Sequence, residues 1–156
     1  MESNAEIIDD LKGLVSILND GKEGYESAAE ATEKIELKGL FLKYSAQRAG
    51  YAMELKAHIN EHGGTSDNEE GGILGVLHRT WIDIKQALSS KEDEAILSAI
   101  ETGEMAAIEK YDKCLKDYAS HADHIDLLTR QRDGISEALY EISSLRTNNA
   151  DSPNNL

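Results

Sequence analysis

LSAIETGEMAAIEKYDKCLKDY, residues 97–118, places Leu97, Ile100, Ala107, Tyr111, Cys114 and Tyr118 at alternating steps of three and four, and Glu104 falls at the one seam position that interrupts the apolar series. At 3.6 residues per turn those positions form a single stripe, so the segment predicts an amphipathic helix. The rhythm recurs three times. It runs through Ile7, Leu11, Leu14, Leu18, Gly21, Tyr25, Ala28 and Thr32, and then through Leu37, Phe41, Tyr44, Arg48, Tyr51, Leu55, His58 and His62. The last series is Ile125, Leu128, Arg132, Ile135, Leu139, Ile142 and Arg146. Such seams suit antiparallel helices with coiled-coil-like packing.

Boundary signals separate the four helices. Ser3-Asn4-Ala5-Glu6 reads as a capping box, and a short connection near 33–36 leads into the second helix. Gly63-Gly64 is a natural stop, because glycine accepts the left-handed C-cap conformation. Residues 65–72 are polar and glycine-containing, as an exposed loop requires. Residues 73–88 predict a shorter helix, with Leu74, Leu77, Trp81, Ile84 and Leu88 on one side. Ser89-Ser90-Lys91-Glu92 offers another capping box, and Ser120 with Asp123 opens the last helix. The resulting expectation is all-α: a ferritin-like four-helix bundle of two antiparallel hairpins, with a short helix in a long crossover. The domain is expected over 1–147, followed by a disordered tail over 148–156 that holds the only proline, Pro153.

Composition agrees. A chain of 156 residues can bury a sizeable core without disulfides. It has one Phe and one Trp, and abundant helix formers. The formal net charge of −14 disfavours nucleic acid and anionic membranes as partners. No apolar run approaches the roughly 18–20 residues of a membrane span, and residues 1–4 lack a secretory pattern. The lone Cys114 suits a reducing, cytoplasmic setting and reads as a small core residue.

The two hairpins look related. Gln47-Arg48-Ala49-Gly50 and Gln131-Arg132-Asp133-Gly134 lie 84 residues apart, and Tyr25-Glu26 and Tyr111-Asp112 lie 86 apart. Arg48, Glu104 and Arg132 stand where the period calls for an apolar side chain. A lone buried charge is costly, so such residues are paired or line a cavity. The expectation is a polar core layer of Gln47, Arg48, Glu104, Gln131 and Arg132 with Tyr25, Tyr51 and Tyr111, which could hold a small anion or polar ligand. The competing account makes them a register device, or lets the arginines reach the surface.

A di-iron bundle needs a glutamate on each of two helices and Glu-x-x-His on each of the others. The matching places here read Gln47/Arg48 with Gly50/Tyr51, and Gln131/Arg132 with Gly134/Ile135. Glu104, seven residues before Tyr111, has Leu18 as its counterpart seven before Tyr25. No metal or cofactor is therefore expected, and no catalytic residue. His58 and His62, four apart, are weak metal candidates without an evident third ligand. His78, His121 and His124 read as solvated. The Trp81 face is the expected site of a homodimer.

Several blocks resemble one family. They are Asn19-Asp20-Gly21-Lys22-Glu23-Gly24-Tyr25-Glu26, Leu37-Lys38-Gly39-Leu40-Phe41 with Ala46-Gln47-Arg48, and Leu77-His78-Arg79-Thr80-Trp81. Glu94-Ala95-Ile96-Leu97, Gly103-Glu104, Tyr111 and Arg130-Gln131 continue the series. Together they resemble a bacterial family of ferritin-like four-helix-bundle proteins classed as a domain of unknown function, over roughly 7–146. The resemblance implies the fold and a cytoplasmic setting, and supplies no activity. The functional expectation is a non-enzymatic bundle, stress-associated or partner-binding. The alternative is a metal-binding or redox protein with a divergent site drawn from Glu104, Glu26 and histidines.

Overall fold

The computed structural model describes residues 4–64, 84, 86–89, 92–118 and 121–151. Among these, four long helices occur and no strand: α1 (Asn4–Ala31), α2 (Ile35–Glu61), α3 (Asp93–Asp117) and α4 (Ala122–Asp151). Residues 84 and 86–88 are also helical. The expected loop 65–72, most of the crossover helix and Trp81 lie outside the described residues, and so does the dimer face built on Trp81. α4 runs four residues past its expected end at 147, with no helix breaker before Pro153; the rest of the expected tail lies outside the described residues.

Side-chain bonds fix the directions. Ser45 Oγ donates to the Lys22 carbonyl and Lys38 Nζ to the Ala29 carbonyl, so α1 and α2 are antiparallel. Tyr25 meets Glu104 and Thr32 meets Asp93, which makes α1 and α3 antiparallel as well. Asp112 pairs with Arg132 and Glu101 with Ser143, so α3 and α4 are antiparallel. The directions therefore run up, down, down, up. The end of α2 and the start of α3 lie at opposite ends of the assembly.

The apolar core has two halves. One contains Leu11, Leu14, Leu18, Leu55, Ile59, Tyr111, Tyr118 and Leu128. The other contains Tyr25, Phe41, Tyr44, Ile96, Leu97, Ala138 and Ile142. Every seam position expected in α3, from Leu97 to Tyr118, is buried. Cys114 is among them, and burial pushes its thiol up to about 12, so it packs as an apolar group and not as a nucleophile.

The α4 seam is corrected by one residue. Its buried positions are His124, Leu128, Gln131, Ile135, Ala138 and Ile142, with Leu127 beside them, whereas Ile125, Arg132, Leu139 and Arg146 are only half-buried. The rhythm is four-three and not three-four. In α2 the buried line likewise passes through Ala52 and Ile59, leaving Tyr51 and His58 half-buried. The outer side of α2 is unusual: Ile35, Gly39, Leu42, Ala46, Gly50, Met53 and Ala57 are exposed and share one face at helical spacing.

Candidate functional site

Between the two apolar halves lies a polar layer. Arg48 is 2% exposed and Glu104 4% exposed. The guanidinium grips the carboxylate with two bonds, Nη1 to Oε1 at 2.5 Å and Nη2 to Oε2 at 2.6 Å, the fork geometry that makes arginine–carboxylate pairs strong. Tyr25 Oη donates to Glu104 Oε2 at 2.6 Å, and Arg48 Nε donates to Gln47 Oε1 at 3.1 Å. The guanidinium carbon also lies 5.4 Å from the Tyr25 ring centre, within cation–π range. Burial opposes the Arg48 charge, but the Glu104 carboxylate more than offsets it and holds the guanidinium protonated. Burial and the same carboxylate raise the Tyr25 hydroxyl well above its ordinary value, so it stays a donor.

Gly21 of α1 lies beside Arg48. A Cβ there would stand 3.4 Å from Arg48 Nη1, in ordinary contact, so the Arg48 side chain packs against α1 at this glycine. A cavity of about 60 Å³, space for a few waters, adjoins the pair and is lined in part by Asp20, Gly21, Gly24, Arg48, Gly103 and Glu104. Arg48 directs its donors at Glu104 and Gln47, which works against the small-anion reading of this layer.

Arg132 is a correction. Its side chain is 32% exposed and pairs with Asp112, Nε to Oδ1 at 2.9 Å, outside the layer. Gln131, 0% exposed, takes the inward position. It accepts from Tyr111 Oη at 2.7 Å and donates to Tyr51 O at 3.1 Å and Glu54 Oε1 at 2.9 Å. Burial raises the Tyr111 hydroxyl too. Arg130 clamps Glu54 from outside and holds its carboxyl below the usual range. The physical reason is charge. Glu104 neutralises one buried guanidinium, and its repeat counterpart is Leu18, buried and apolar. A second inward arginine would face only a half-exposed Glu54 already clamped by Arg130, so an uncharged amide fills the space. Gln47 and Tyr51 sit at the edge of the layer, half-buried, and Tyr51 contributes its backbone carbonyl.

The repeat-related glycines differ accordingly. A Cβ on Gly50 meets nothing within 4 Å, whereas one on Gly134 would lie 1.9 Å from Tyr51 Oη. Gly50→Ala is expected to raise stability by about 0.5–1 kcal/mol, from reduced backbone entropy in a helix. Gly134→Ala is expected to lower it by about 1 kcal/mol through overpacking, and Tyr51→Phe to restore most of the loss. Urea unfolding of these three variants beside the parent measures all of this.

The divergent carboxylate site is not assembled: Glu104 is held by Arg48, and Glu26 faces Lys22 at 3.4 Å in an i,i+4 pair. The histidines behave otherwise. His124, expected to be solvated, is 4% exposed. It lies against His58, with His58 Nε2 and His124 Nδ1 2.7 Å apart. His62 completes the group, and one ring nitrogen from each of the three lies within 4.8 Å of the others. Sequence reasoning missed His124 because 66 residues separate it from His58. The available signal was the antiparallel pairing that brings the end of α2 to the start of α4.

These features define an all-helical protein with a buried ion pair at mid-bundle and three clustered histidines at one end. The chain belongs to the family described as a domain of unknown function, DUF2383, which matches residues 6–117. No curated protein and no solved structure matches it. No described helix is long and apolar enough to cross a membrane.

Proposed function

We propose that this chain is a non-enzymatic, ferritin-like bundle in which a buried ion pair stands where that architecture carries a di-metal centre. The observation that carries the reading is the bidentate Arg48–Glu104 pair. A guanidinium in the middle of the layer repels a cation, and the Glu104 carboxylate beside it already has its oxygens engaged. The up-down-down-up order of the helices supports the ferritin-like arrangement, in which a single long connection joins two hairpins. In this role the layer fixes helix register, since only one alignment of α1, α2 and α3 joins Tyr25, Arg48 and Glu104. Ferrous iron added without oxygen to the full chain, followed by air, tests it. Oxidation is expected at the buffer rate, without uptake of an iron pair. A pair of irons per chain, lost in Glu104→Gln, would overturn the reading.

A second reading, self-association, is favoured by the outer face of α2. Ile35 (79% exposed), Met53 (72%) and Leu42 (54%) line a stripe whose other members are small. A stripe of this kind admits a second helix closely, and in a chain of net charge −14 its apolar surface is the part least opposed by self-repulsion. The occupant is a second copy of this chain. Sedimentation is expected to show a dimer that Leu42→Glu dissociates; a monomer at high concentration would refute it.

A further inference from the structure

We propose that His58, His62 and His124 bind one divalent transition-metal ion of the zinc class, at the end of the bundle where α2 stops and α4 begins. The inference does not depend on the mid-bundle reading, since ten residues, about 15 Å of helix, separate His58 from Arg48.

The local fold explains why these rings converge. His58 and His62 are four apart and share a face of α2. A Schellman motif ends that helix: Gly63 N–H bonds to the Asn60 carbonyl at 3.2 Å and Gly64 N–H to the Ile59 carbonyl at 3.0 Å. Gly63 adopts φ of 84°, the left-handed conformation this cap needs. A Cβ on Gly64 would lie 2.8 Å from Ile8 Cγ2 and from Ile59 Cγ2, so the capped end is packed down onto α1. His62 is thereby fixed at the C-cap. His124 sits in the first turn of α4, where its N–H bonds to the His121 carbonyl at 3.0 Å and its ring turns inward against Tyr118.

The ring centres are 4.5, 4.8 and 5.0 Å apart. Imidazole nitrogens bound tetrahedrally to zinc at 2.0–2.1 Å stand about 3.3 Å from one another. The observed nitrogens, at 2.7 Å for the His58–His124 pair and within 4.8 Å for all three, bracket that value. Small side-chain rotations reach it without moving a helix. Asp123 Oδ2 lies 3.2 Å from His62 Nε2, which leaves Nδ1 as the nitrogen to ligate while the carboxylate orients the ring through Nε2. Glu54 and Glu61 add negative charge on the α2 side. Three imidazole nitrogens and no thiolate select zinc, copper, nickel or cobalt over calcium or magnesium. Three protein ligands leave a fourth position, and the half-buried His58 and His62 leave it reachable by water or an exogenous donor.

The test uses the full chain, free of any affinity tag and stripped with a chelator, titrated with Zn²⁺ by calorimetry and with Co²⁺ by visible absorption. One ion per chain is expected, and the cobalt form should show the intense bands of a tetrahedral site. His58→Ala and His62→Ala should each weaken binding at least about 100-fold, and Asp123→Asn about 10-fold. His121→Ala, outside the three, should leave it unchanged. His124→Ala removes a buried ring and could fail to fold, so the two half-buried variants carry the decision. Absence of saturable binding, or equal affinity after His58→Ala and His62→Ala are combined, would overturn the proposal. Iron-pair uptake sensitive to Glu104→Gln would instead count against the mid-bundle reading alone.

Discussion

Glu104→Gln is expected to destabilise the protein by about 3–5 kcal/mol, the cost of leaving a buried charge without its counter-ion. The substitution keeps shape, and keeps an acceptor for Tyr25, but it removes the charge that holds the Arg48 guanidinium in a site only 2% exposed. For a chain of this length each kcal/mol shifts Tm by roughly 2–4 °C, so thermal unfolding should fall by roughly 6–20 °C. Removing the whole set tests whether the loss comes from the unpaired charge. Arg48→Met, Glu104→Leu and Tyr25→Phe together remove the ion pair and the hydroxyl bonded to it, and only the half-buried Gln47 amide loses a partner. That triple variant should return to within about 1 kcal/mol of the parent or exceed it, because apolar replacements of buried ion pairs are often neutral or stabilising. If stability is recovered but helix register is lost, near-ultraviolet dichroism will flatten while helix content persists. A Glu104→Gln variant unchanged within about 0.5 kcal/mol would show that the pair is not the element holding α1, α2 and α3 together.

Much of the architecture was readable from spacing, and the misses have one physical origin. In α3 apolar residues also flank the seam, yet every seam position is buried while Met105 beside it is exposed. In α4 adjacent positions compete. Leu139 is the more apolar choice beside Ala138, yet Ala138 is buried and Leu139 half-exposed, because the space between close helices favours the smaller side chain. The same shift of one residue, about 100° around the helix, exchanges Arg132 for Gln131. Arg48 and Glu104 were identifiable as a buried pair because each interrupts an otherwise apolar seam. The histidine group was not, since ligands drawn from two helix ends become neighbours only once the hairpins are laid side by side. The outer stripe of α2 escaped for the opposite reason: with apolar residues on both faces, that helix lacks the one-sided pattern by which a core face is recognised.

Gln131→Leu carries the second large expected effect, a loss of about 2–3 kcal/mol. Leucine is close in volume to glutamine, so the core stays filled and the change isolates hydrogen bonding. The Tyr111 hydroxyl loses its acceptor, while the Tyr51 carbonyl, which keeps its helical bond, and Glu54 each lose one bond. Glu54 keeps its clamp from Arg130, and its cost is small at a half-exposed site. Tyr111 is 0% exposed and has no water to turn to, so its hydroxyl bears most of the penalty of an unsatisfied buried donor, about 1–3 kcal/mol. The double variant Gln131→Leu/Tyr111→Phe should therefore be more stable than Gln131→Leu alone by about 1–2 kcal/mol, a positive coupling in a double-mutant cycle. Gln131→Arg, which puts a guanidinium at the inward position, should be worse than Gln131→Leu, because Glu54 is already clamped by Arg130 and Leu18 supplies no carboxylate. Adding Leu18→Glu to Gln131→Arg should then recover stability, since it supplies to the second hairpin the charge that Glu104 supplies to the first. If Gln131→Arg is tolerated without Leu18→Glu, solvent reaches the layer and the charge argument for the inward amide fails.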